Sequence, residues 1–175
     1  MTRSIRVRGI NSLLRKNVLG HHEDRTIAID KFPGAHANKI KHCFKFSAKE
    51  LKPDTLVVVA GANDISYDFR DGTANARSIA NRIIDIGKEA TNANVRNIYV
   101  LGIIQRRDFR VKTLITQTNL ELRSLCEQAG FIFIDTSEIY VDDLDRDGLH
   151  LNPTGTRKLM HIILKCNTLY NPYLN

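Results

Sequence analysis

Thr55-Leu56-Val57-Val58-Val59-Ala60 runs directly into Gly61-Ala62-Asn63-Asp64, and this stretch decides the fold. The first six residues read as a strand that is apolar on both faces, as strands buried inside a parallel sheet are. Gly61 then lets the backbone turn sharply and approach a ligand closely. Asn63 follows where its side-chain amide can be aimed at a developing oxyanion. Asp64 can brace the loop or cap the next segment. Ordinary turn chemistry accounts for Asn-Asp after a strand equally well.

Outward from this strand, apolar segments alternate with helical patterns, which predicts an α/β fold with a parallel sheet. Residues 26–30, 97–104 and 131–135 read as further strands. Helices are predicted over 9–18, 37–46, 75–93 and 111–129, the last stopped by Gly130. Pro153 opens a final helix to about Cys166. A length of 175 residues suits one domain spanning 1–175. No apolar run can span a bilayer, and no hydrophobic segment follows the basic start, so the chain reads as cytoplasmic. Cys43, Cys126 and Cys166 are odd in number and widely spaced, which argues against a disulfide framework or a clustered zinc site. His21-His22 with Glu23-Asp24 reads as a polar loop before a metal site, and no metal or cofactor is expected.

In an open parallel sheet, ligands sit beyond the carboxyl ends of the strands. Glycine, asparagine and acids collect there. Gly34, in Phe32-Pro33-Gly34-Ala35, can present a backbone N–H to an oxyanion from a loop stiffened by Pro33. Asp147-Gly148-Leu149-His150 places an acid three residues before a histidine on a glycine-containing turn. A general base needs that imidazole, and a carboxylate to hold one tautomer and stabilise the imidazolium. The net charge of +7 favours acidic partners. Arg106 and Arg107, with Arg110 close by, follow a strand near the expected site. They can meet an anionic substrate group or a nucleic-acid backbone.

Gly34, Gly61-x-Asn63-Asp64 and Asp147-x-x-His150 together resemble the blocks of the SGNH/GDSL hydrolase family, in order and approximate spacing. The resemblance runs from about Gly9 to the last helix, and is nearest to esterase-like domains of animal retroelement proteins and of bacteria. It implies a three-layer α/β/α flavodoxin-like fold and a serine hydrolase that cleaves a small acyl ester without a metal or cofactor. His150 would be the base, Asp147 its orienter, and Asn63 with the Gly34 N–H the oxyanion donors.

The start of the chain departs from that pattern. The family's first block is a buried strand running into Gly-Asp-Ser, followed closely by an Arg and a helix. With Val7-Arg8-Gly9-Ile10 taken as the start of the first helix, and one inserted residue, Ser4 falls on the nucleophile. Thr2 and Arg3 then replace the Gly and Asp, and the central first strand is missing or incomplete. Arg3 and Arg6 suit a buried parallel strand poorly. The rival expectation is a catalytically silent domain of the same fold, binding a ligand, a protein or nucleic acid.

Overall fold

A computed structural model describes the backbone of residues 3–8, 25–30, 32–51 and 53–169, with side chains over 32–45 and 53–166. Five strands form one parallel sheet: β1 (Arg3–Arg8), β2 (Arg25–Asp30), β3 (Thr55–Val58), β4 (Asn97–Leu101) and β5 (Ile132–Ile134). Their order is β2-β1-β3-β4-β5. This is the doubly wound, flavodoxin-like arrangement, in which the chain reverses direction across the sheet at the β1/β3 boundary.

The central strand that the sequence reading left missing is therefore present, and it is β1. Its residues pair with β2 from Arg3 opposite Arg25 to Arg8 opposite Asp30, and with β3 from Ile5 opposite Thr55 to Arg8 opposite Val58. Arginines at positions 3, 6 and 8 hide a strand whose apolar signal is reduced to Ile5 and Val7. Val7 and Arg8 thus continue the strand rather than open a helix. The helix predicted from Gly9 to Val18 lies outside the described residues, as do His21 and His22.

Five α-helices accompany the strands: α1 (Ala37–Leu51), α2 (Ala62–Arg70), α3 (Ala76–Asn92), α4 (Lys112–Ala129) and α5 (Pro153–Leu169). Period-two alternation along the strands splits the core into two layers. Leu56, Val58, Ile98 and Val100 face one way, into a cluster with Phe44 of α1, Ile79 and Ile83 of α3, and Ile115 and Leu122 of α4. Val57, Tyr99, Leu101 and Ile134 face the other, against Leu159, Met160 and Ile163 of α5. Full burial of Ile79, Ile83 and Ile86 on α3 stabilises that packing by about 1.5–3 kcal/mol per side chain.

Local signals set most helix ends. Asn75 accepts the Ser78 N–H at 2.8 Å and caps α3. Gly130, at φ 70°, closes α4 in the left-handed region. Helix α2 is the element the sequence reading lacked. Its buried face holds Asp64 and Asp68 as well as Ile65, while Tyr67 and Phe69 are exposed, so no apolar helical stripe is visible. Cys126 is buried, which pushes its thiol up to about 12, while Cys43 and Cys166 are half-buried. Among the described residues no helix is long and apolar enough to cross a membrane.

Candidate active site

A cavity of about 110 Å³ opens beyond the carboxyl ends of β3 and β4. Ala35, Gly61, Asn63, Arg106 and His150 line it, with a mainly aliphatic remainder that includes Ile40, Leu101 and Ile103. Residues from four separate loops, far apart in sequence, therefore meet at the edge of the sheet where the chain reverses direction.

On one wall, Gly61 takes φ 102°, and an added Cβ would meet Ile103 Cδ1 at 2.6 Å and Ile83 Cδ1 at 2.7 Å. The positive φ, with two isoleucine tips packed against the position, favours glycine here. The turn sends the chain into α2, so that Asn63 comes to the cavity. Its side-chain amide donates to the Ala35 carbonyl at 3.0 Å, which leaves a second N–H on the same nitrogen. Gly34 stands beside Ala35 in a turn closed by the Ala35 N–H to the Phe32 carbonyl, with Pro33 and Gly34 at its centre and φ 67° at Gly34. That is type II turn chemistry, with glycine at the position that needs positive φ.

Asp64 locks this wall from behind. Its side chain is 1% exposed. One oxygen accepts the Ala37 N–H at 3.0 Å, which satisfies the first turn of α1. The other accepts from Arg82 Nε at 3.1 Å, and the same guanidinium reaches Asp68 at 2.5 Å. The sequence reading gave Asp64 a local brace or cap. Its cap goes to the preceding helix, so a single carboxylate fastens the Gly34 loop, the Asn63 turn and α3 together.

The facing wall is made by a short turn. His150 Nδ1 lies 2.5 Å from Asp147 Oδ2, while Asp147 Oδ1 accepts the N–H groups of Leu149 and His150, each at 2.9 Å. The His150 side-chain bond, then these two backbone N–H groups, hold the Asp147 carboxyl well below the ordinary carboxylate range. With Nδ1 engaged, Nε2 is the nitrogen left for proton transfer. Gly148 takes φ 67° with its Cβ position against Arg107 Cβ, and the Arg107 N–H donates to the Gly148 carbonyl at 3.0 Å. Asn152 ties the turn to α5: its Oδ1 accepts from the Thr154 and Gly155 N–H groups, and its Nδ2 donates to the Asp142 carbonyl at 2.8 Å. In the neighbouring acidic loop a buried Asp143 pairs with Lys158 at 2.7 Å.

Of the two arginines singled out by sequence, only Arg106 lines the cavity. It donates to the Ser66 hydroxyl at 2.7 Å and to the Ala62 carbonyl. Arg107 holds the histidine turn through its backbone. Arg110 forks onto Asp108 at 2.8 and 2.9 Å.

Ser4 does not join this assembly. It pairs with Thr26 near the amino end of β1, one residue before the partner of Thr55. The carboxyl end of β1, at Arg8, lies four residues further on, roughly 13 Å along a strand. The described cavity lining contains no hydroxyl or thiol. A further candidate hydroxyl is Ser12, in Ile10-Asn11-Ser12-Leu13-Leu14-Arg15, which lies outside the described residues. Its signal was the Arg that closely follows it, passed over because Val7 was read as the start of a helix.

A family model for GDSL-like lipases and acylhydrolases matches residues 7–158. Among solved structures, a carbohydrate acetylesterase from Sinorhizobium meliloti aligns with TM-score 0.75 at 14% identity, over 97% of this chain and 100% of that one. A GDSL-like lipase from Bacteroides thetaiotaomicron gives 0.72 at 13% identity, over 94% and 87%. An acetylxylan esterase from Geobacillus stearothermophilus gives 0.71 at 14%, over 94% and 93%. At these identities the likeness is one of fold. No curated protein sequence matches the chain.

Proposed function

The chain belongs to the GDSL-like lipase/acylhydrolase family, a family of hydrolases, and from that premise we propose that it is a serine esterase cleaving a small acyl ester through an acyl-serine. The observation that carries this reading is the meeting of His150 and Asn63 across one small cavity at the β1/β3 boundary. His150 Nε2 takes the nucleophile's proton as its oxygen attacks the ester carbonyl carbon. Asp147 holds the imidazole and stabilises the imidazolium. The Asn63 amide and the Gly34 N–H receive the charge on the carbonyl oxygen. Collapse expels the alcohol with the proton from His150. Water, activated by the same imidazole, then hydrolyses the acyl-serine.

Ser12 is the nucleophile in this proposal. The family match begins at Val7 and so contains Ser12 and leaves out Ser4. Ser12 is also the first hydroxyl after β1 leaves the sheet, four residues past Arg8. Ile10 and Asn11 stand where the family pattern has Gly and Asp, and this departure is what favours the rival reading of a silent ligand-binding domain. Hydrolysis of p-nitrophenyl acetate separates the two. Ser12→Ala and His150→Ala should each lower kcat by on the order of 10⁴ or more, while Ser4→Ala stays near wild type. Loss with Ser4→Ala and retention with Ser12→Ala would reverse the assignment. A wild-type protein that hydrolyses no ester would leave the binding domain.

A further inference from the structure

Among the described residues Arg106 forms no ion pair with a carboxylate. Both terminal nitrogens are used on neutral acceptors, the Ser66 hydroxyl and the Ala62 carbonyl. Its Nε is buried and has no hydrogen-bond partner among the described residues. Asp108, the acid whose charge acts on Arg106, is already held by both Nε and an Nη of Arg110. A desolvated cation and an unused donor are expensive unless something compensates them. Desolvation also pulls the guanidinium below its ordinary value, with Asp108 opposing. Among the described residues no acid lines the cavity beside it.

The loop that carries Arg106 is built to stay in place. Asn119 of α4 accepts the Ile103 N–H at 2.7 Å and donates to the Ile103 carbonyl at 2.9 Å. Gln105 Nε2 donates to the Thr116 hydroxyl at 3.0 Å. The guanidinium is thereby held at the start of α2, next to Asn63, with little freedom to swing into solvent. A fixed, partly dried cation on the wall of a cavity that is mainly aliphatic apart from Asn63 and His150 is a recognition element for an anion.

We propose that Arg106 sets substrate specificity, and that the ester this cavity takes carries a second, anionic group, a carboxylate, received by the Arg106 guanidinium. This rests on the esterase reading for the role of the cavity. Its test does not need turnover.

Succinate and succinamate provide that test, because they have the same length and each offers one carboxylate to the Asn63 side. They differ only in the charge of the far end. Calorimetric titration should show succinate binding about 10-fold tighter, as expected for one charge-assisted contact. In Arg106→Gln that preference should disappear, and in Arg106→Lys it should persist in part. The Arg106 Nε–H resonance of the wild type should shift with succinate and stay in place with succinamate, which guards against a variant that does not fold. Equal affinities, or a preference that survives Arg106→Gln in a folded protein, would overturn the proposal. If succinate preference depends on Arg106 and yet no ester is hydrolysed, anion recognition stands and the esterase reading falls.

Discussion

The two walls of the cavity are built in opposite ways. The histidine wall is mostly local: Asp147 and His150 are three residues apart, both about half exposed, and apart from the Arg107 N–H on the Gly148 carbonyl the bonds that shape the turn run between neighbours. The Asn63 wall, proposed to hold the oxyanion, is assembled from a distance. Asp64 joins α2 to Ala37 and Arg82, and Asn63 reaches back to Ala35, 28 residues earlier. The proposed base and its orienter come as a pre-formed cassette in sequence, and the proposed oxyanion donors come together only once three segments have packed. The first wall should therefore respond to substitution in its chemistry, and the second in both chemistry and stability.

The largest stability effect should come from Asp64→Ala. Removing the buried carboxylate leaves the Ala37 N–H without its acceptor and takes from Arg82 one of its two carboxylate partners. The loss should be about 3–5 kcal/mol, or roughly 6–20 °C in thermal midpoint by calorimetry. Next comes Asn63→Ala, which should keep most of the stability and lower kcat by roughly 10²–10³-fold, with KM changed far less. A drop confined to KM would remove Asn63 from the oxyanion role.

The smallest stability effect belongs to Asp147→Asn. An exposed pair contributes at most about 1 kcal/mol, so the midpoint should move by no more than roughly 4 °C. Its pH dependence has a definite sign. The Asp147 carboxyl is depressed in the folded protein, so its contribution is present above the unfolded value of about 3.9 and is lost as pH falls through the folded value. Melting curves of wild type and Asp147→Asn should keep a constant gap from pH 7 to 5 and converge only below about pH 4. If the Asp147 substitution destabilised the fold as much as Asp64→Ala, the local and long-range division between the walls would be wrong.

The same division explains what could be read from sequence. The histidine turn was legible because its partners are three residues apart and the backbone does the rest. Strand β3 and helix α3 were legible because Leu56, Val57 and Val58, and Ile79, Ile83 and Ile86, carry the periodicity of their element straight into the core. Helix α2 was not, because two of its inward residues, Asp64 and Asp68, look like surface residues until Arg82, on another helix, is placed against them. Strand β1 was hidden by its arginines, and this placed the candidate nucleophile at Ser4, eight positions before the proposed Ser12. Gly34 was recognisable as a turn glycine, but nothing local to it pointed to Asn63, since their proximity is made by the Asn63–Ala35 bond.

Strand β1 also bears on how the molecule is made. It precedes both strands that flank it, and the second of these is complete only at Val58. During synthesis its backbone donors and acceptors stay unpaired on at least one side for some fifty residues, exposed to any other extended chain nearby. The arginines that disguise it as a poor strand put positive charge on that waiting edge, and like charge keeps nascent copies apart. What weakens β1 as a signal in sequence is thus a safeguard before the sheet closes.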